Sequence, residues 1–197
     1  MKKRSMYRHL SLVVFSLLFT WPAAAFDMPA RKPGLWQLTA KYEGAGSPSP
    51  PQISQQCVDA ATDKEMIALG NIASRQMCSK LDTQKVGEKI IVDGTCQIGA
   101  ISVATHAEYS GSFDSAYTVN TTAITTGGPA LSNGKSNMIA EAKWMGPCKA
   151  DQKPGDMIMP VGNPAGDTIT INIRDILDIM KGVPDMMKAI GDKVQPR

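Results

Sequence analysis

Two cysteines eighteen positions apart, Cys78 and Cys96, most constrain how this chain can fold, because a glycine lies midway between them. The stretch MCSKLDTQKVGEKIIVDGTCQ carries the β-prone run Ile90-Ile91-Val92 after a turn containing Gly87, the pattern of a β-hairpin. Folding about Gly87 sets Cys78 opposite Cys96, where facing Cβ atoms sit about 4.5–5.5 Å apart, within reach of a disulfide. The alternation is imperfect. Lys80 and Asp82 share a face with Cys78 while Ile90 and Val92 share one with Cys96, so a bulge is expected to shift the register.

The remaining cysteines are Cys57 and Cys148. Four cysteines allow three pairings; the hairpin favours 78–96, which leaves 57–148. An even count with no Cys-x-x-Cys points to structural disulfides rather than a zinc knuckle or a dithiol redox centre. That expectation needs an oxidising compartment, and the N-terminus supplies one. Lys2, Lys3, Arg4 and Arg8 precede an apolar run from Leu10 to Thr20 and then Ala23-Ala24-Ala25. A basic head, a short apolar middle and an Ala-x-Ala site describe an export signal cleaved near Ala25-Phe26. The run falls short of the roughly 20 apolar residues that span a bilayer as a helix, and no later segment is more apolar. The expected organisation is a signal peptide over 1–25, a disulfide-bonded β domain over 26–148, and a loop and helical extension of the same domain over 149–197. The expected location is the periplasm.

Cleavage changes the charge. Of 21 basic residues four leave with the signal, so 17 remain against 18 acidic ones, a net charge of −1. A mature chain with that balance has no electrostatic footprint for nucleic acid.

Beyond the hairpin the β signal persists. Trp36, Leu38, Ala40 and Tyr42 alternate against Leu35, Gln37, Thr39 and Lys41. Ile101, Val103, Thr105, Ala107 and Tyr109 form one such set; Tyr117, Val119, Thr121 and Ala123 another; Met138, Ala140, Ala142 and Trp144 a third. Gly111, Gly127-Gly128-Pro129 and Asn133-Gly134 punctuate them. Gln52 to Cys57 reads as a further strand. The fold class is therefore mainly β, an antiparallel sheet, sandwich or open barrel, with a short helix and a C-terminal helical tail. Thr62-x-x-Glu65 reads as a capping box opening the short helix over 63–69, closed by Gly70. Lys149 to Gly166, with three prolines, reads as a loop. Asn172 can cap a helix carrying Ile173, Ile176, Leu177 and Met180 on one stripe, broken at Gly182 and Pro184, with a further turn or two over 185–190.

Catalytic machinery is sparse. The single histidine after cleavage, His106, falls on the polar side of its strand with Ser102, Ala104 and Glu108, and is expected to face solvent. No nucleophile elbow or phosphate loop is present. Asp59 with Asp63, or Asp175 with Asp178, are the carboxylate pairs a hydrolase would use, a pattern common on solvated helices. Ten methionines follow the signal, among them Met157, Met159, Met186 and Met187. Thioethers suit Cu(I), although Met equally fills irregular cores, and no Met repeat or His cluster accompanies them. No cofactor or metal is expected. The leading reading is a non-enzymatic binding or interaction module of the cell envelope, with Trp36, Tyr42, Tyr109, Tyr117 and Trp144 lining an apolar surface for a small apolar ligand or an envelope protein. The alternatives are a carboxylate-dependent periplasmic hydrolase and a copper-binding protein.

The segment Lys32-Pro33-Gly34-Leu35-Trp36, together with Gln56-Cys57, Cys78, Cys96, Lys143-Trp144-Met145-Gly146-Pro147-Cys148 and Lys153-Pro154-Gly155-Asp156-Met157, resembles a family of small exported proteins of Gram-negative bacteria. That family carries a domain of unknown function opening Lys-Pro-Gly-Leu-Trp. The resemblance implies a periplasmic, disulfide-bonded β domain and no particular activity. Gln37 departs from it, standing where the family usually has Glu. Physically the opening motif is a strand start: Pro33 has no N–H to give a ladder, Gly34 permits a tight turn, and Trp36 plugs a core.

Overall fold

A computed structural model describes residues 28–44, 50–129, 133–161 and 167–180. The expected signal peptide, the Met186-Met187 pair and the turns over 185–190 lie outside the described residues. Nine antiparallel strands form one sheet: β1 (Gly34–Gly44), β2 (Gln52–Val58), β3 (Cys78–Val86), β4 (Lys89–Ile98), β5 (Ile101–Ser112), β6 (Ala116–Thr126), β7 (Gly134–Gly146), β8 (Asp156–Pro160) and β9 (Thr168–Asn172). Their order is β3-β4-β5-β6-β7-β1-β2-β8-β9. The two ends, β3 and β9, do not meet, so of the three β architectures expected from the alternation the chain adopts an open sheet.

The register brings the apolar sets onto one face. Tyr109 lies opposite Val119, Val119 opposite Ala140, and Ala140 opposite Ala40. In the next row Tyr117 lies opposite Ala142 and Ala142 opposite Leu38. Directly paired residues of antiparallel strands point the same way, so each alternation adds a column to one continuous apolar surface. At its centre Trp36, Val58 and Ala142 are buried, with Leu38, Met66, Tyr117 and Trp144 packed around them. The reverse face carries the polar sets, including Asp93, His106, Thr122 and Asn137 in one row.

The hairpin closes through a two-residue turn, Gly87-Glu88, since Val86 pairs with Lys89. Gly87 takes a left-handed φ of 61° there, which a side chain would resist. This pivot lies half a residue beyond Gly87. The offset is absorbed at Ser79, where the register shifts between Cys78 and Lys80 and returns Cys78 to face Cys96. The bulge implied by the imperfect alternation is thus real, and the two cysteines are bonded. Cys57 is bonded to Cys148, 91 positions away.

Helix α1 (Ala60–Met77) is longer than the seven residues expected, and it begins a turn earlier. Its cap is Asp59: the carboxylate accepts from the Ala61 and Thr62 amides, and the Thr62 hydroxyl returns a bond from the Asp59 amide. These bonds hold the Asp59 carboxyl below its ordinary range, those from Thr62 contributing most. Thr62 is therefore the last residue of a capping box that starts at Asp59, rather than the first of its own. Gly70 does not end the helix; it lies within it. The expected loop over 149–166 also contains strand β8, whose five residues run from Asp156 to Pro160 and are too few to show an alternation. A second helix, α2, covers residues 173–180. Asn172 caps it by accepting from the Arg174 amide, and Ile173, Ile176, Leu177 and Met180 turn inward while Arg174, Asp175 and Asp178 are exposed.

The length of α1 follows from the topology. It leaves β2 and enters β3, strands separated in the sheet by β1, β7, β6, β5 and β4. Six inter-strand steps of about 4.8 Å make roughly 29 Å, and a helix of 18 residues at 1.5 Å per residue reaches about 27 Å. The helix is a strut across the apolar face. Its backbone approaches the sheet chiefly at β2 and at β3–β4. Both disulfides stand at these feet: Cys57 lies two residues before the Asp59 cap, and Cys78 is the C-cap itself.

In the chain-entropy account the 18-residue loop contributes about 3 kcal/mol and the 91-residue loop about 4.6 kcal/mol. Replacing Cys57 and Cys148 together with Ala is expected to lower the urea midpoint more than the same change at Cys78 and Cys96. Equilibrium unfolding of the two double variants measures the difference.

Candidate functional site

The strut crosses the sheet over a cavity of about 260 Å³ lined by Met28, Pro29, Arg31, Asp63, Met66, Ile67, Tyr109, Phe113 and Tyr117. Three pieces of chain converge on it. Asp63, Met66 and Ile67 come from one side of α1, at helical spacings of three and four. At the next position of that side, no atom lies within 4 Å of a Cβ placed on Gly70, so the helix stands clear of the sheet there. Tyr109 and Tyr117 come from β5 and β6, and Phe113 from the turn between them; Phe113 stacks on Tyr117 with centroids 4.6 Å apart. The segment before β1 brings Met28, Pro29 and Arg31.

Arg31 is the junction. Its Nε donates to Asp63 Oδ1 at 2.7 Å and its backbone amide to Asp63 Oδ2 at 2.8 Å. Its Nη1 donates to Gln56 Oε1 of β2 at 2.6 Å, and its Nη2 lies 3.3 Å from the Met66 sulfur. The side chains are 10% and 2% exposed, so this is a charge pair inside the protein. Burial pushes the Tyr117 phenol above its ordinary value, with the Arg31 guanidinium countering in part. Tyr109 is likewise raised by burial and by the nearby Tyr117. Both phenols are therefore neutral hydroxyls at any physiological pH.

The Lys-Pro-Gly-Leu-Trp motif positions Arg31. The Lys32 carbonyl accepts from the Trp36 indole at 2.8 Å, and the Pro33 carbonyl accepts from the Trp144 indole at 3.0 Å. The Lys32 ammonium sits 3.7 Å over the Trp144 ring, and its amide donates to the Phe113 carbonyl. Gly34 has a φ of +134°, and a Cβ there would collide with the Gly146 carbonyl and the Trp144 indole nitrogen. The motif thus anchors the residue in front of it through bonds at Lys32, Pro33 and Trp36 and the close approach at Gly34.

Of the five aromatics expected to line an apolar surface, the structure brings Tyr109 and Tyr117 into the cavity. Trp36 lies fully buried behind them, its ring 5.6 Å from Tyr117. Trp144 is occupied under Lys32, and Tyr42 lies further along the same face, 45% exposed. Sequence reasoning missed Arg31, Phe113 and the role of Asp63. Only the placement of an arginine immediately before the motif could have signalled the first. Asp59 caps α1 and Asp63 faces Arg31, so these two carboxylates serve separate partners, while Asp175 and Asp178 are exposed on α2. Met157 and Met159 lie on β8 opposite Ile171 and Ile169. Among the described residues no group of three His, Cys, Asp or Glu side chains could hold a metal ion.

A second hollow, of about 410 Å³, lies on the reverse face around Lys80, Asp93, Thr95, His106, Thr122 and Ile124. His106 is half exposed there, as its strand position predicted. Its Nδ1 meets Asp93 Oδ1 at 2.8 Å and its Nε2 meets Glu108 Oε1 at 3.4 Å, while Lys89 holds the other oxygen of Glu108. With a carboxylate at each ring nitrogen the imidazolium is favoured, and His106 is raised above its ordinary value, Asp93 contributing most. Both ring nitrogens are thus engaged by carboxylates. This hollow is a solvated ion cluster, and the cavity under α1 is the candidate site.

An open antiparallel sheet bridged by a disulfide-anchored helix, with a small aromatic cavity beneath, defines the class of protein. The chain belongs to the family described as protein of unknown function (DUF3617), which matches residues 31–148. No curated protein and no solved structure matches significantly. Among the described residues no helix is long and apolar enough to cross a membrane.

A proton NMR titration is expected to place His106 above 6.5, and Asp93→Asn to bring it back toward that value. Because folding raises this group, its contribution to stability is complete below the unfolded value and fades as pH rises through the folded one.

Proposed function

We propose that the chain is an exported, periplasmic binding module without catalytic activity, whose ligand site is the cavity between α1 and the β5–β6 hairpin. The observation that carries the reading is the cavity's composition. Phe113, Tyr109 and Tyr117 face Met28, Met66 and Ile67 across a space that the sheet's own side chains do not fill. Concave, mainly apolar hollows with a few placed polar groups are where small ligands bind. Two flexible thioethers suit an adaptable lining. The location rests on the basic head, apolar run and Ala-Ala-Ala of the first 25 residues, and two disulfides accord with an oxidising compartment. The Asp59 and Asp63 side chains are engaged as a helix cap and an ion pair, which leaves a hydrolase reading without that pair of carboxylates.

The test uses N-phenyl-1-naphthylamine, an uncharged apolar fluorophore, with the purified protein. Saturable binding of one probe per chain is expected, weakened at least tenfold by Ile67→Trp, which fills the cavity from the helix side. Absence of saturable binding, or binding indifferent to that substitution, would refute the reading.

A further inference from the structure

Resting on that reading, we infer that the cavity selects an electrically neutral ligand, an aliphatic or aromatic body bearing at most a hydroxyl or carbonyl. The selectivity follows from the charges. Among the described residues Arg31 and Asp63 are the only charged ones of the lining, and each is taken by the other.

Both carboxylate oxygens of Asp63 accept from Arg31, through the Nε and through the backbone amide. The remaining guanidinium edges meet Gln56 and the Met66 sulfur, and the Tyr117 phenol lies against the same group. Among the described residues of the lining an incoming carboxylate would find no free cation, and an incoming ammonium no free anion. Either would be stripped of water without a counter-charge, the costliest form of burial. Capturing Arg31 would in turn leave Asp63 buried and unpaired. A neutral hydroxyl or carbonyl meets no such obstacle. Tyr109 and Tyr117, neutral and half-buried at the cavity wall, can donate to it or accept from it.

Competition against N-phenyl-1-naphthylamine tests this with four eight-carbon probes at pH 7.5: 1-octanol, methyl octanoate, octanoate and octylammonium. Displacement by the two neutral probes at concentrations at least tenfold lower than by the two ions is the expected result. Octanoate or octylammonium competing as well as octanol would overturn the inference while leaving the binding reading intact. If the fluorophore itself shows no saturable binding, the binding reading fails and the inference falls with it. A second arm uses Asp63→Asn, which leaves Arg31 without its counter-charge. In the folded variant octanoate is expected to gain on octanol by at least tenfold, and an unchanged ratio would count against the charge argument.

Discussion

The buried ion pair between Arg31 and Asp63 ties together parts of the chain that otherwise have little reason to meet. Asp63 belongs to the first turns of α1, Arg31 to the segment ahead of β1, and Gln56 to β2, while Tyr117 of β6 leans on the same guanidinium. A charge placed in that setting without its partner would cost several kcal/mol. The segment must therefore lie where it does, and the helix must leave β2 at an angle that keeps Asp63 over Trp36 and Tyr117. The carboxylate also sits in the helix's first turn, where the macrodipole favours it. A helix held so firmly at one end, and joined at the other to an edge strand through its cysteine C-cap, spans the sheet instead of packing flat on it. The cavity is the space left beneath.

Much of the sheet was legible because its alternations are long. Four runs with apolar residues at every second position predicted four strands and one apolar face, and the register merges them into one surface. The hairpin disulfide was legible too, although its pivot is Gly87-Glu88 and the bulge at Ser79 restores the pairing. What could not be read was local order set by distant contacts. Helix α1 carries a glycine in its middle and is only weakly amphipathic, so its pattern suggested only a short helix over 63–69. Strand β8 is five residues long and exists because the outer edge of β2 offers it partners.

The site was legible in part for the same reason. Tyr109 and Tyr117 belong to the alternating sets and could be placed on the apolar face. Trp36 and Trp144 could not be separated from them by pattern, because whether an aromatic lines a cavity or fills a core depends on what lies across from it. Here the indoles are bound to the Lys32 and Pro33 carbonyls and serve the strand start. Arg31 and Asp63 are thirty-two positions apart, with no periodicity linking them, and only the three-dimensional structure makes them neighbours.

The central claim, that one buried charge pair holds the helix over its cavity, is tested most directly by a double-mutant cycle on unfolding free energy with Arg31→Met, Asp63→Leu and the pair combined. Each single change leaves an unpaired buried charge and is predicted to cost about 3–5 kcal/mol, whereas the combined variant should lose far less than the sum. Single losses below about 1 kcal/mol, or losses that simply add, would contradict the account.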